Sequence, residues 1–336
     1  MAAVQFEDIQ KDIRNKILYP VYFLMGDEGF YIDGISDHLE EHVLTGEEKE
    51  FNLSILYGKE TDIQTIISTA KRFPMMASHH LVIVKEAQNI RNIEDLLAYV
   101  QKPLQSTILV ICYKYKSLDR RTKFVKELGK TGLVFEGRKL YDNQVPDWIS
   151  KHVKGKGYRI GPKAVQMLAD HLGSDLGKIV NELSKVFINL KKGDEITTSH
   201  IEANIGISKD FNVFELQNAL GEGNRLKAFQ IVRYFADNPK ANPMVKSLGI
   251  LYQFFSKVLI YHSLRDKSRN NVASALSVNP FFVPDYQTAA RNYSPKKLIR
   301  IFSILREYDL KSKGVGNVSF GEGELMKEMT YKLLQQ

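Results

Sequence analysis

Apolar and polar positions change rhythm along the chain. In the first third, short unbroken apolar runs alternate with helical patterns. Val21-Tyr22-Phe23-Leu24-Met25 closes at Gly26, and Leu81-Val82-Ile83-Val84 and Ile108-Leu109-Val110-Ile111 repeat the type. Unbroken runs of strand formers predict strands buried on both faces, and Thr61 to Arg72 between the first two predicts a helix. Strands alternating with helices imply a parallel sheet covered on both sides, which makes a nucleotide-binding α/β domain the first expectation to test.

From about Pro146 the spacing becomes helical. Val165, Leu168, Ala169 and Leu172 follow the i, i+3, i+4, i+7 rule, with Gly173 where a helix stops. Leu176, Ile179, Val180, Leu183 and Phe187 repeat the stripe, and Ser199 with Glu202 has capping-box spacing. Further stripes run through Ala228, Ile231, Val232 and Phe235, then Leu251, Phe254, Phe255 and Val258. Leu298, Ile301, Phe302, Leu305 and Tyr308 follow Ser294-Pro295, an N-cap and N1 pair, and Leu325, Met326, Met329 and Leu333 close the chain. Stretches near 237–243, 277–284 and 312–323 read as connections. These stripes are core positions in preference to any cofactor box.

Composition narrows the class. With 43% hydrophobic and 26% charged residues over 336 positions, the chain is an ordinary globular one of two to three domains, not a coiled coil or a disordered segment. No apolar run approaches the roughly 20 residues of a membrane helix. The N-terminal residues, MAAVQFEDIQKDIRNKIL, hold no signal-peptide apolar block. Cys112 is the single cysteine, which excludes an internal disulfide and a multi-cysteine zinc site, so a reducing cytoplasm is the expected compartment. The formal charge of +8 favours contact with phosphate backbones, but its clusters (Lys114, Lys116, Arg120, Arg121 and Lys123; Arg265, Lys267 and Arg269; Lys296, Lys297 and Arg300) also read as solvated faces.

Several chemistries are missing. A phosphate loop after the first strand needs G-x-x-x-x-G-K-[ST], whose lysine and hydroxyl hold the phosphates and magnesium. That place reads Gly26-Asp27-Glu28-Gly29-Phe30-Tyr31-Ile32-Asp33, with carboxylates that repel phosphate. The second strand ends in Lys85-Glu86, where Glu86 alone is a poor magnesium position. Neither nucleotide hydrolysis nor a bound cofactor is expected. His79-His80 are adjacent, point to different faces and make a poor metal site, so no metal is expected there. No G-x-S-x-G elbow marks a nucleophile. Trp148 is expected to anchor the start of the second domain.

Phe73-Pro74-Met75-Met76-Ala77-Ser78 stands out just ahead of a strand. Pro74 breaks the preceding helix and leaves large apolar groups at a helix–loop junction. Two readings are open: a helix end packing into its own core, or a protruding plug for a partner's pocket, with methionine supplying adaptable contact area.

Four stretches resemble one family. Pro20 to Glu28 is similar to the opening strand and degenerate phosphate loop of the delta subunits of bacterial DNA polymerase III clamp loaders. Phe73 to Ser78 resembles that family's clamp-binding element. Gly173-Ser174-Asp175-Leu176 through Asn181-Glu182-Leu183-Ser184-Lys185 resembles its G-x-D-L…N-E-L-x-K signature, and Asp309 to Gly314 its D-x-x-x-K motif. The resemblance implies α/β plus all-α architecture: a degenerate AAA+ (P-loop-like) parallel-sheet domain over 1–145, a small helical lid over 146–207 and a C-terminal helical collar over 208–336. It implies a non-catalytic part of a nucleotidyltransferase complex in DNA replication. Such a subunit grips the beta sliding clamp through Phe73, Met75 and Met76 and stabilises its opened interface. Gly26, Asp27, Glu28 and Gly29 would be a non-functional phosphate loop. The implied partners are the clamp, the gamma/tau motor subunits, delta-prime and primer-template DNA in the assembled complex, with no membrane. Pro74 and the methionine pair depart from the family's commoner Leu-Phe form. The motor subunits' intact phosphate loop and S-R-C motif are absent, as are the several cysteines usual in delta-prime. The rival expectations are an unusual AAA+ ATPase and a freestanding basic DNA-binding protein.

Overall fold

The computed structural model describes residues 5–316 and 319–336, so residues 317–318 of the connection read at 312–323 lie outside the described residues, as do residues 1–4. The chain divides into two compact units, Met1–Leu140 and Tyr141–Gln336.

The first unit is a parallel sheet of β1 (Val21–Gly26), β2 (Leu53–Tyr57), β3 (His80–Lys85), β4 (Thr107–Lys114) and β5 (Leu133–Gly137), in the order β2-β3-β4-β1-β5. Side chains of successive residues point to opposite faces. Val21, Phe23, Met25, Val82, Val84, Leu109 and Ile111 therefore build one core with Ile66 and Phe124. Tyr22, Leu24, Leu81, Ile83, Ile108, Val110 and Cys112 build the other with Ile9, Ile13, Ile32, Ile35 and Leu39. Four helices matter below: α1 (Phe6–Arg14), α2 (Gly29–His42), α3 (Gly46–Asn52) and α4 (Ile63–Ala70). The α/β plus all-α class expected from the sequence is the one observed.

β1, β3 and β4 lie where the apolar runs put them. β2 and β5 escaped notice because both are edge strands with half-exposed positions, and Ile55 and Tyr57 of β2 point into solvent. The helix expected over Thr61 to Arg72 is α4, started by Asp62, whose carboxylate accepts from the Thr65 amide at 2.8 Å.

Among the described residues the second unit is helical apart from a two-stranded pair, Arg159–Ile160 with Glu195–Ile196. Gly173, at φ 67°, ends helix Pro162–Leu172, and Asp175 caps helix Leu176–Ile188 by accepting from the Lys178 amide at 3.0 Å. Ser199 is not the cap expected of it. The helix Thr198–Ile205 starts at Thr197, with His200 closing the box, and Glu202 instead accepts from the Lys209 amide at 3.2 Å. Trp148 is half-buried and stacks on His152 at 5.0 Å, while Val145, Ile149 and Val153 supply that helix's buried face. A single large core joins Leu216, Ile231, Phe254, Phe255, Ile301, Tyr308 and Met329.

Gly26 closes β1 in a conformation that L side chains rarely adopt, φ 119°, and a Cβ there would meet the Gly137 carbonyl oxygen at 2.2 Å. The loop after β1 thus runs against the end of β5. Gly26→Ala is expected to lower the unfolding free energy by at least about 2 kcal/mol. Urea denaturation checks this, and an unchanged midpoint would mean that the β1–β5 approach has room to spare.

Candidate protein-interaction site

In open parallel sheets, ligands bind beyond the carboxyl ends of the strands, where the strand order reverses. Here that place follows β1, between β4 and β5. The Gly26 amide donates to the Lys116 carbonyl at 2.9 Å, the Tyr115 amide to the Gly26 carbonyl at 2.9 Å, and the Glu28 amide to the Gly137 carbonyl at 3.1 Å. Glu28 is buried, and its carboxylate accepts from the Phe30 amide at 3.1 Å as the N-cap of α2. A helix N-terminus presents amides and a partial positive charge to an anion. In this chain the anion is the protein's own. Nearby Lys114 is bound to Asp33 of α2 at 2.6 Å. Glu86, past β3, sits at φ 54° with Asn89 at 3.3 Å and Lys59 at 4.0 Å from its carboxylate. The structure brings Gly26, Asp27, Glu28 and Gly29 together in one turn, held by backbone bonds on both sides and carrying acidic groups where phosphate chemistry requires a cation.

The loop after α4 is built differently. The Lys71 and Arg72 amides return to Ile67 and Thr69, and Pro74 prevents a further turn. Phe73 is then 76% exposed, Met75 63% and Met76 fully exposed. The reading in which these side chains pack into their own core does not hold. What holds the loop is Asn52, the last residue of α3, itself buried. Its Oδ1 accepts from the Met75 amide at 2.6 Å, while its Nδ2 donates to the Met75 carbonyl at 2.9 Å and to the Glu48 carbonyl at 3.0 Å. One side-chain amide thus satisfies both backbone groups of Met75. α3 is in turn fixed by a capping box between Thr45 and Glu48. Met76 takes a left-handed φ of 53°, unusual for a long side chain, and Ala77 returns to the core. Phe51, beside Asn52, is also exposed.

Sequence reasoning missed Asn52. An asparagine at a helix end has many ordinary uses, and its partner lies 23 residues away. The two histidines split as expected: His80 is buried in β3 with Nε2 3.1 Å from the Ser54 hydroxyl, and His79 faces the Ser78 hydroxyl at 2.9 Å. In the second unit, Lys185 pairs with Glu182 at 2.8 Å and Lys313 with Asp309 at 2.7 Å. The paired residues of the two C-terminal motifs therefore serve their own helices.

Comparison with known proteins is consistent across the chain. A family model described as DNA polymerase III, delta subunit, matches residues 22–137, and one for the C-terminal domain of that subunit matches residues 210–319. DNA polymerase III subunit delta of Bacillus subtilis (strain 168) is 28% identical over 319 residues, which cover 91% of each chain. The solved structure of the Bacillus subtilis DNA clamp loader delta protein aligns with a TM-score of 0.53 at 26% identity, covering 99% of this chain and 100% of that one.

Asn52→Ala removes the loop's fixing point and leaves every exposed apolar side chain in place. It is expected to destabilise the fold by about 1–3 kcal/mol and to raise hydrogen exchange at the Met75 amide. Wild-type protection of that amide in the variant would show that other contacts hold the loop.

Proposed function

Because this chain belongs to the DNA polymerase III delta subunit family, we propose that it grips a sliding clamp and stabilises the clamp's opened interface without hydrolysing ATP. The observation that carries the reading is the loop of Phe73, Met75 and Met76, held in solvent by a buried asparagine. Apolar side chains in that position gain by entering a partner's pocket: full burial contributes roughly 1.5–3 kcal/mol each. Shifting a ring from 1:99 to 99:1 open takes about 5.5 kcal/mol of preference for the open form. Three anchors reach that magnitude. Anchoring alone does not open a ring, since equal affinity for both states shifts nothing. On this reading Phe73, Met75 and Met76 supply affinity, and the surface around them, Phe51 included, fits the opened interface better than the closed one.

The absence of hydrolysis is supported by the Glu28 carboxylate at the N-terminus of α2 and by the missing lysine and hydroxyl of a phosphate loop. In this reading the chain has no catalytic step and requires no cofactor. Polymerase activity belongs to the assembly. We assign residues 1–145 to the clamp-gripping α/β domain, 146–207 to a lid and 208–336 to a collar. The collar would meet the motor and delta-prime subunits, and primer-template DNA would be contacted within the assembled cytoplasmic complex. Among the described residues no helix is long and apolar enough to cross a membrane.

The test is calorimetry of the full chain with the sliding clamp of its own organism, without nucleotide. A complex is expected, and Met75→Ala with Met76→Ala is expected to weaken it by at least about 2 kcal/mol with the melting temperature unchanged. Undiminished affinity in that folded variant would sink the assignment of the loop. A saturable MgATP signal from the isolated chain would return the ATPase reading.

A further inference from the structure

Helix α2 ends in His38-Leu39-Glu40-Glu41-His42. Residues three and four apart share a helix face, so His38, Glu41 and His42 converge. The two imidazole rings lie with centroids 3.9 Å apart, and one ligand atom from each of the three side chains lies within 4.8 Å of the other two.

Hydrogen bonds fix the tautomers, because a carbonyl oxygen only accepts. His38 donates its Nε2 hydrogen to the Gln10 carbonyl of α1 at 3.2 Å, and His42 donates its Nδ1 hydrogen to the His38 carbonyl at 3.0 Å. The lone pairs left free are then on Nδ1 of His38 and Nε2 of His42; the His42 nitrogen 3.9 Å from the Glu41 carboxylate is Nδ1, so His42 must release its carbonyl bond or turn its ring to ligate beside Glu41. An imidazole whose second nitrogen is tied to a backbone carbonyl is the usual arrangement of a metal ligand.

The cluster also sits at the C-terminal end of α2, where the helix dipole favours a cation. Lys16 and Arg14 oppose it: the Lys16 ammonium donates to the His42 carbonyl, and the Arg14 charge reaches His38. Both are exposed chains that can swing outward.

We propose that His38, Glu41 and His42 form a binding site for a divalent transition-metal ion of the zinc class, with water completing the tetrahedron. Bonds of about 2.0–2.1 Å bring tetrahedral ligands to roughly 3.4 Å apart, so the spacing must contract. Glu41, with 76% of its side chain exposed, is free to make most of that movement. Neutral imidazoles with one carboxylate suit zinc, nickel, copper or cobalt and disfavour calcium and magnesium. Bound metal would lock the ring that ties α1 to α2.

Cobalt(II) is the probe. The full chain is titrated with Co2+, read by the visible absorption of tetrahedral cobalt, and then challenged with Zn2+. One Co2+ per chain is expected, displaced by Zn2+, with a higher melting temperature in Zn2+ than in Mg2+. His42→Ala and Glu41→Gln are each expected to weaken binding at least about tenfold, and His79→Ala to leave it unchanged. Glu41→Gln alters an exposed side chain, which separates lost binding from lost folding. Failure of the wild-type chain to bind Co2+, or wild-type affinity in the Glu41→Gln and His42→Ala variants, would overturn the site.

Discussion

A loop that holds three large apolar side chains in water must be fixed by its backbone, because its side chains have nothing to pack on. In this chain the fixing point is the amide of Asn52. By bonding both polar groups of Met75, it does for one residue what a neighbouring strand does for many. The amide is buried, so those bonds form away from competing water and its own desolvation is compensated. The arrangement reaches back through α3 to the Thr45–Glu48 box, so the loop's geometry rests on a helix of seven residues. A presented loop of this kind loses less conformational entropy on binding than a free one.

The loop after β1 shows the opposite economy. Its backbone is held by packing and by its own bonds, with Gly26 pressed against the end of β5 and amides of the loop donating to Lys116 and Gly137. The turn carries acidic side chains, Asp27 and Glu28. Glu28 accepts from the Phe30 amide at the start of α2, and a carboxylate there offsets the helix dipole as an anion would. The geometry persists because β1 is buried between β4 and β5 and its exit is constrained by packing, whatever is bound beyond it.

How much of this the sequence revealed follows burial. β1, β3 and β4 were legible because strands buried on both faces must be continuously apolar. β2 and β5 were not, since an edge strand has only part of its surface to hide. Phe73, Met75 and Met76 were legible as an anomaly, yet their exposure depends on Asn52, whose partner is remote in sequence. Ser199 and Glu202 had the right spacing for a cap, but Thr197 starts the helix and Glu202 turns to Lys209. His38, Glu41 and His42 were passed over in the sequence, although their spacing places them on one helix face. What gives it meaning, the Gln10 carbonyl that sets the tautomer, lies on another helix.

Both ends of the β-sheet's chemistry then point the same way. A subunit that spends no nucleotide energy can act on a partner only through the difference between its affinities for two states of that partner. Such a subunit needs rigid presentation and gains nothing from a working phosphate site. Asn52 fixes the backbone of the presented loop, and the Glu28 carboxylate stands at the start of α2. On the proposed reading the two side chains are complementary: one converts a helix–loop junction into an anchor, and the other keeps the old ligand crevice closed to phosphate. On the same reading the energy that releases the partner enters through another chain of the assembly, because neither Asn52 nor Glu28 takes part in a reaction.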